Sequence, residues 1–302
     1  PIMNTPMIYS LDAGELLHRV AETLPAHVTG NVVIIGSIAA AWAFRDVARH
    51  ASVATKDIDM LIHPGVDAVV TAQTIGQQLL DDGWQPTFPN GIKPGTDSTP
   101  ADQLPVLSLT PPNTIELWFI ELLAEPAGEQ VERKHWERLV TDRGVFGLPS
   151  FRYMGVTIYD AERTEFGVSA ARPACMALAN LLEHAVPDRT PISNLPGRPA
   201  RYLKDVGRAV SLWWLSREQS VDYAHVWDSA WRGVLQSLYP GRERDMLILA
   251  RDGLISLRGQ VEFALEMARM SVLAGHQVTI GSWTAAHDEL SEFLTGLINS
   301  ET

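Results

Sequence analysis

Apolar residues recur along this chain with two different periods, and the change of period divides it. In "AGELLHRVAETL", Ala13 to Leu24, the positions Leu16, Leu17, Val20 and Leu24 share one face of a 3.6-residue wheel, which predicts a helix. The pattern then predicts a strand over Asn31–Ile35, a helix from Ser37 to about Arg49, a strand over Asp57–Ile62 and a helix from about Val66 to Leu80. Seven prolines between Pro86 and Asn113 predict a loop, interrupted by a short strand at Val106–Leu109, because proline is excluded from central strand positions. The run "TIELWFIELLAEP", Thr114 to Pro126, is rich in β-branched and aromatic residues and is expected to pair with that short strand.

From Ala170 onward the period is helical. "PACMALANLLEHAV" carries a continuous apolar face, and a proline-rich connection leads into "RYLKDVGRAVSLWWLS". There Leu203, Val206, Val210, Trp213 and Trp214 repeat at helical spacing, and Val221 to Leu297 reads as three or four further helices. The expected class is α+β: a mixed sheet with flanking helices over residues 1–165, then an all-helical domain over 166–302.

Composition narrows the setting. A chain of 302 residues with 46% apolar residues and mean hydropathy near zero reads as globular, with one large or two ordinary domains. The longest apolar stretch, Val32–Phe44, is broken by Gly36 and Ser37 and falls short of the about 20 residues a membrane span needs. No basic segment followed by an apolar one opens the chain, and Cys175 is alone, so no signal peptide, no membrane and a cytoplasmic location are expected. A net charge of −12 argues against a strong nonspecific grip on nucleic acid, though not against a small basic pocket. The phosphate-cradling patterns G-x-x-x-x-G-K-[ST] and G-x-G-x-x-G are absent, as are G-x-S-x-G, H-E-x-x-H and C-x-x-C.

The positive signal is a strand ending on Gly36-Ser37, a helix, and then Asp57-x-Asp59 on the next strand. Side chains two apart on a strand point to one side, so the two carboxylates lie together and call for a positive charge between them. A divalent metal is the obvious candidate. Glycine at the strand end lets a phosphate approach the backbone, the following helix turns its N–H groups and positive dipole end toward it, and Ser37 adds a hydroxyl.

This pattern resembles the nucleotidyltransferase superfamily with the DNA polymerase β-like fold, whose signature is a Gly-Ser or Gly-Gly turn followed by Asp-x-Asp. The resemblance implies that Asp57 and Asp59 bind magnesium or manganese and that an NTP is the substrate. It also implies a third acid from a later strand, taken from "IELWFIELLAEPAG". Glu116 and Glu121 are five apart and face opposite sides of a regular strand, so at most one serves; Glu121, inside the apolar run and before a loop, is favoured, with Glu116 in reserve. "GVSAARPACMALANLLEHA" with "RYLKDVGRA" is similar to the helical half of abortive-infection and toxin–antitoxin nucleotidyltransferases. There Lys204 and Asp205 match a Lys-Asp pair near the nucleotide. Asn180 stands where a phosphate-binding lysine is expected, a departure that implies altered substrate, lost activity, or replacement by Arg45, Arg172 or Arg208.

Plainer roles stand beside these. An Asp-x-Asp alone is usually a solvated strand end, Lys204-Asp205 an ordinary helix pair, and the nine tryptophans core rather than base-stacking surfaces. Three functions follow. The first is a metal-dependent nucleotidyltransferase, toxin-like in role, moving a nucleoside monophosphate onto an RNA end, a protein side chain or a small molecule. The second is a catalytically silent member that binds nucleotide or a partner. The third is an interaction protein in which the acids are incidental.

Overall fold

The computed structural model describes residues 11–47, 52–53, 57–88, 91–112, 118–129, 132–192 and 199–301. It is a mixed α/β structure with a cluster of helices at its C-terminal end. The first helix, α1 (Ala13–Thr23), buries Leu16, Leu17 and Val20 as its spacing requires, and the Asp12 carboxylate caps it by accepting from the Glu15 N–H at 2.8 Å. Just before it, β1 (Leu11–Asp12) pairs with β3 (Ser52–Val53) in a small ribbon.

Among the described residues the main sheet has nine strands. Its path runs β10 (Glu162–Arg163), β11 (Ser169–Ala170), β2 (Val32–Ile35), β4 (Asp57–Ile62), β7 (Phe119–Ala124), β6 (Ser108–Thr110) and β5 (Gln85–Pro86). A hairpin of β8 (Lys134–Thr141) and β9 (Gly144–Phe151) joins it through β7, where Ala124 meets Ser150. β2 is antiparallel to β4, while β4 and β7 are parallel. Every residue of β2 is buried, so the strand reads as an unbroken apolar run, as expected of a strand covered on both faces. Helices α2 (Gly36–Ala43) and α3 (Ala68–Asp81) follow β2 and β4.

The pattern-based elements depart from the structure in three places. The helix expected to reach Arg49 ends at Ala43, where the Phe44 N–H turns back to the Ala40 carbonyl. The short strand shifts to Ser108–Thr110, because Val106 bridges to Gly147 of the hairpin instead. The β8–β9 hairpin was not anticipated, and the last strand of the sheet, β11, lies beyond residue 165 and pairs in parallel with β2.

After the short α4 (Met154–Ile158) come α5 (Pro173–Glu183), α6 (Arg201–Gln219), α7 (Tyr223–Leu238), α8 (Glu243–Ile255), α9 (Val261–Arg269) and α10 (Ile280–Ser300). Pro173 opens α5 at a position where its missing N–H costs nothing. Tryptophans fill this half. Trp213 meets Trp227 edge-on at 5.0 Å, and three buried indole N–H groups find acceptors, while that of Trp213 has none among the described residues: Trp227 donates to Ser216 Oγ, Trp283 to Ser211 Oγ and Trp231 to the Ala174 carbonyl. Their role is packing. The buried hydrophobic residues of sheet and helices form one continuous core. Among the described residues no helix is long and apolar enough to cross a membrane.

Candidate functional site

The alternation Asp57-Ile58-Asp59-Met60 sets β4's two faces. Ile58 and Met60 are buried in the core, while both aspartates are partly exposed on the other side. On the parallel neighbour β7, Glu121 is the register partner of Asp59, which places its carboxyl on the same face. Ser108 of β6, paired with Glu121 on its far side, donates Oγ–H to Glu121 Oε2 at 3.4 Å. The three acids therefore form the floor of a cleft of about 840 Å³, at the end of the sheet where β2 stops and β4 and β7 begin.

Gly36 shapes one edge of that floor. It has φ of +73°, a conformation that L side chains rarely adopt, and a Cβ there would fall 2.4 Å from Asp59 Oδ2. Ile35 and Gly36 line the cleft, and no side chain caps α2 at this end. Ser37, the next residue, is buried. Glu116 lies outside the described residues.

Burial and crowding raise the pKa of two of these acids, Asp59 and Glu121. Asp59 is pushed up to about 8, first by burial and then by the charges of Asp57 and Glu121, against the pull of Arg208 and Lys204. Glu121 is raised by burial and then by Asp57, with Ser108, Lys134 and Arg201 opposing. Among the described residues no three His, Cys, Asp or Glu side chains stand in a ready metal-holding arrangement.

The opposite wall comes from α5 and α6. Arg201, Lys204, Asp205 and Arg208 all line the cleft, and their i, i+3, i+4, i+7 spacing puts them on one stripe of α6. Lys204 thus faces the cleft. Asp205, although it borders the cleft, is tied to His184, whose Nε2 lies 3.0 Å from Asp205 Oδ2. Burial opposes ionisation of Asp205, yet the His184 hydrogen bond, with Arg208 and Lys204 nearby, holds its carboxyl well below the usual range. A carboxylate can only accept, so His184 Nε2 carries the proton. Asp205 is therefore engaged within the helical half, in a pair whose histidine is fully buried.

Asn180 of α5 faces the cleft too, in the place of the expected lysine. Of the three arginines that could replace it, Arg208 is the one that lines the cleft, and its Nε is buried without a hydrogen-bond partner among the described residues. Arg45 is stacked 3.9 Å over Trp42, and Arg172 is paired with Asp160.

Two further cations were not singled out from the sequence. Lys134, the first residue of β8, rests 3.8 Å over the Trp136 ring and 5.1 Å over that of Phe151. Burial, and after it the charge of Arg201, lowers it to about 8. Arg201 opens α6, three residues before Lys204. The signal for Lys134 was the hairpin: an alternating run, a polar turn between Thr141 and Gly144, then an apolar run. Arg201 was legible from its helical spacing to Lys204 and Arg208. Comparison with protein-family models, with curated proteins and with solved structures returned no match.

Proposed function

We propose that this chain is a nucleotidyltransferase of the DNA polymerase β-like type, moving a nucleoside monophosphate from an NTP to a hydroxyl acceptor. One observation carries the reading: Asp57, Asp59 and Glu121 share a sheet face beside the glycine that starts α2, under a wall bearing Lys204 and Arg208. Carboxylates so placed repel one another, and raised affinity for protons at two of them marks a site built for positive charge. Their hard oxygen donors suit magnesium or manganese, which Asp57, Asp59 and Glu121 would hold. The chemistry such an ion supplies when bound is polarisation of the α-phosphate and countercharge for the leaving pyrophosphate.

The chain's own groups do the remainder. Gly36 leaves the backbone at the start of α2 open to a phosphate, and the first-turn N–H groups favour its charge. Lys204 and Arg208 meet the triphosphate from above, Arg208 taking the part of the lysine that Asn180 lacks. The acceptor oxygen bonds to the α-phosphorus as the bond to the bridging β-phosphate oxygen breaks. Its proton passes to the Glu121 carboxylate, and pyrophosphate leaves. An enzyme drawing on NTP and magnesium fits a cytoplasmic location, and a toxin-like role would stop growth on expression only while Asp57 is intact.

A second reading, a catalytically silent nucleotide-binding member of the same fold, is favoured by Asn180 and by the acids not being gathered in advance. Thermal stabilisation by each NTP, with and without magnesium, together with pyrophosphate release, separates the two. A ligand at about 100 times its Kd adds about 2.7 kcal/mol. Magnesium-dependent stabilisation with pyrophosphate release supports the enzyme, and stabilisation without release supports the silent binder. No response to any NTP would leave the interaction protein.

A further inference from the structure

Besides Arg133, which is paired with Glu183 and Asp188, the cations lining the cleft fall into two groups, and only one is needed for the donor nucleotide. Lys204 and Arg208 lie further along α6, whereas Lys134 comes from the start of β8 and Arg201 from the first turn of α6; all four line the cleft with Glu121. The second group comes from two elements, the start of the β8–β9 hairpin and the first turn of α6, that the fold brings together from 67 positions apart (201 − 134).

Neither member of this pair has an ion-pair partner to itself among the described residues. Lys134 Nζ makes no ion pair there within 4.0 Å; it is held by the faces of Trp136 and Phe151, which also line the cleft. Arg201 reaches Asp188 alone of the described acids, at 4.0 Å. Asp188 is already occupied: Arg133 Nη1 donates to it at 2.5 Å and the Thr190 N–H at 2.9 Å. Arg133 in turn is shared with Glu183 at 2.7 Å. Asp188 and Glu183 are therefore engaged by Arg133, and Lys134 and Arg201 face one cavity with Glu121 as the acid left to them. Holding them there costs repulsion that an anionic ligand would reverse. A guanidinium and an ammonium converging on one point, with aromatic faces beside them, suit a phosphate group attached to a ring-bearing molecule.

We propose that Lys134 and Arg201 hold a phosphate group of the acceptor, placing its hydroxyl beside Glu121. The inference rests on the nucleotidyltransferase reading of the same cleft and adds the acceptor's chemical class: a phosphate-bearing molecule rather than a neutral alcohol or an unmodified protein side chain. The cleft, at about 840 Å³, lies in the upper part of the range of ligand pockets and has room for donor and acceptor together.

The test uses the full chain in chelator, so that no magnesium-dependent donor site contributes. Binding of AMP, adenosine, inorganic phosphate and a short oligoribonucleotide is measured by calorimetry on the wild type, Lys134→Met, Lys134→Arg, Arg201→Met and Arg208→Met. The expected result is binding of AMP or of the oligoribonucleotide but not of adenosine, weakened at least tenfold by Lys134→Met and by Arg201→Met. Lys134→Arg restores most of it, which shows that charge rather than folding is at issue, and Arg208→Met changes it little. Binding of the oligoribonucleotide through these residues assigns the phosphate to an RNA chain, and binding of AMP alone assigns it to a small molecule. Adenosine binding as well as AMP, no phosphate-dependent binding at all, or AMP binding lost in Arg208→Met and kept in Lys134→Met, overturns the inference. The last two results leave NTP transfer untouched as a separate measurement. Conversely, a Lys134-dependent phosphate site in a protein that ignores every NTP would sink the transferase and keep the anion site.

Discussion

Asp59 and Glu121 face each other across the β4–β7 ladder as direct register partners. Two acids in that relation, with Asp57 two residues before Asp59, crowd carboxyl groups together and raise the proton affinity of Asp59 and Glu121. The charges of Asp57 and Glu121 come after burial among the causes that push Asp59 up to about 8.

Replacing Asp57 by Asn tests both consequences at once. It removes an anionic ligand while keeping the shape, so nucleotide transfer is expected to fall below detection. It also removes a repulsive charge, so in chelator the protein keeps its fold, with a Tm unchanged or raised by about 1–3 °C, an effect of about 1 kcal/mol or less. Pyrophosphate release with magnesium and each NTP, paired with melting in chelator, checks this. Transfer at the wild-type rate would remove Asp57 from the site, and a fall of many degrees would make it a structural residue.

Gly36→Ala addresses the edge of the floor. A methyl group meets the Asp59 carboxylate and sits on a backbone with φ of +73°. The expected cost is about 1–3 kcal/mol, from strain plus displacement of Asp59. The informative readout is the magnesium dependence of NTP stabilisation, which should weaken more than the overall fold does. Wild-type melting together with a wild-type NTP response in the Gly36→Ala variant would mean that the close approach to Asp59 has no functional weight.

The acidic floor was legible because strand alternation is a local property: Asp57 and Asp59 share a face whatever surrounds them, and the apolar residues between them leave one solution. The choice of Glu121 rested on its place in the run and before a loop; its register with Asp59 comes from strand pairing, which no local pattern encodes. The hairpin carrying Lys134 has a local signal, but its docking beside the acids does not, because it reaches the sheet through β7 at Ala124 and Ser150. Cleft residues drawn from elements this far apart become neighbours only in the tertiary structure.

Glu183 gives the protein a pH dependence near neutrality. Burial raises it from its ordinary 4.5 to about 7, although Arg133 lies 2.7 Å away and opposes the shift. Between those two values the folded chain holds a proton that the unfolded chain has lost, so stability falls as pH rises from about 4.5 to 7. The contribution of this one group is at most about 3 kcal/mol. Glu183→Gln should flatten the slope of stability against pH in that window, measured by denaturant unfolding at several pH values. A slope unchanged in the variant would assign the dependence to other acids, Asp59 first among them.

The pair of His184 and Asp205 decides what the Lys-Asp motif of α6 is for. Its lysine faces the cleft, but its aspartate accepts from a histidine that is fully buried, and the Asp188 N–H approaches that histidine's other nitrogen at 3.5 Å. Removing one partner of such a buried pair leaves the other without its hydrogen bond, at a cost of about 3–5 kcal/mol. Asp205→Ala and His184→Ala should therefore both melt early, and the double variant should cost clearly less than the sum of the two. Lys204→Met should leave melting nearly unchanged while weakening NTP stabilisation, because Lys204 faces the cavity and, among the described residues, has no structural partner of this kind. Unfolding curves for the four variants, with NTP binding measured on each that remains folded, separate the roles. A stable Asp205→Ala protein that no longer binds NTP would return Asp205 to the nucleotide and make its bond to His184 a means of aiming it.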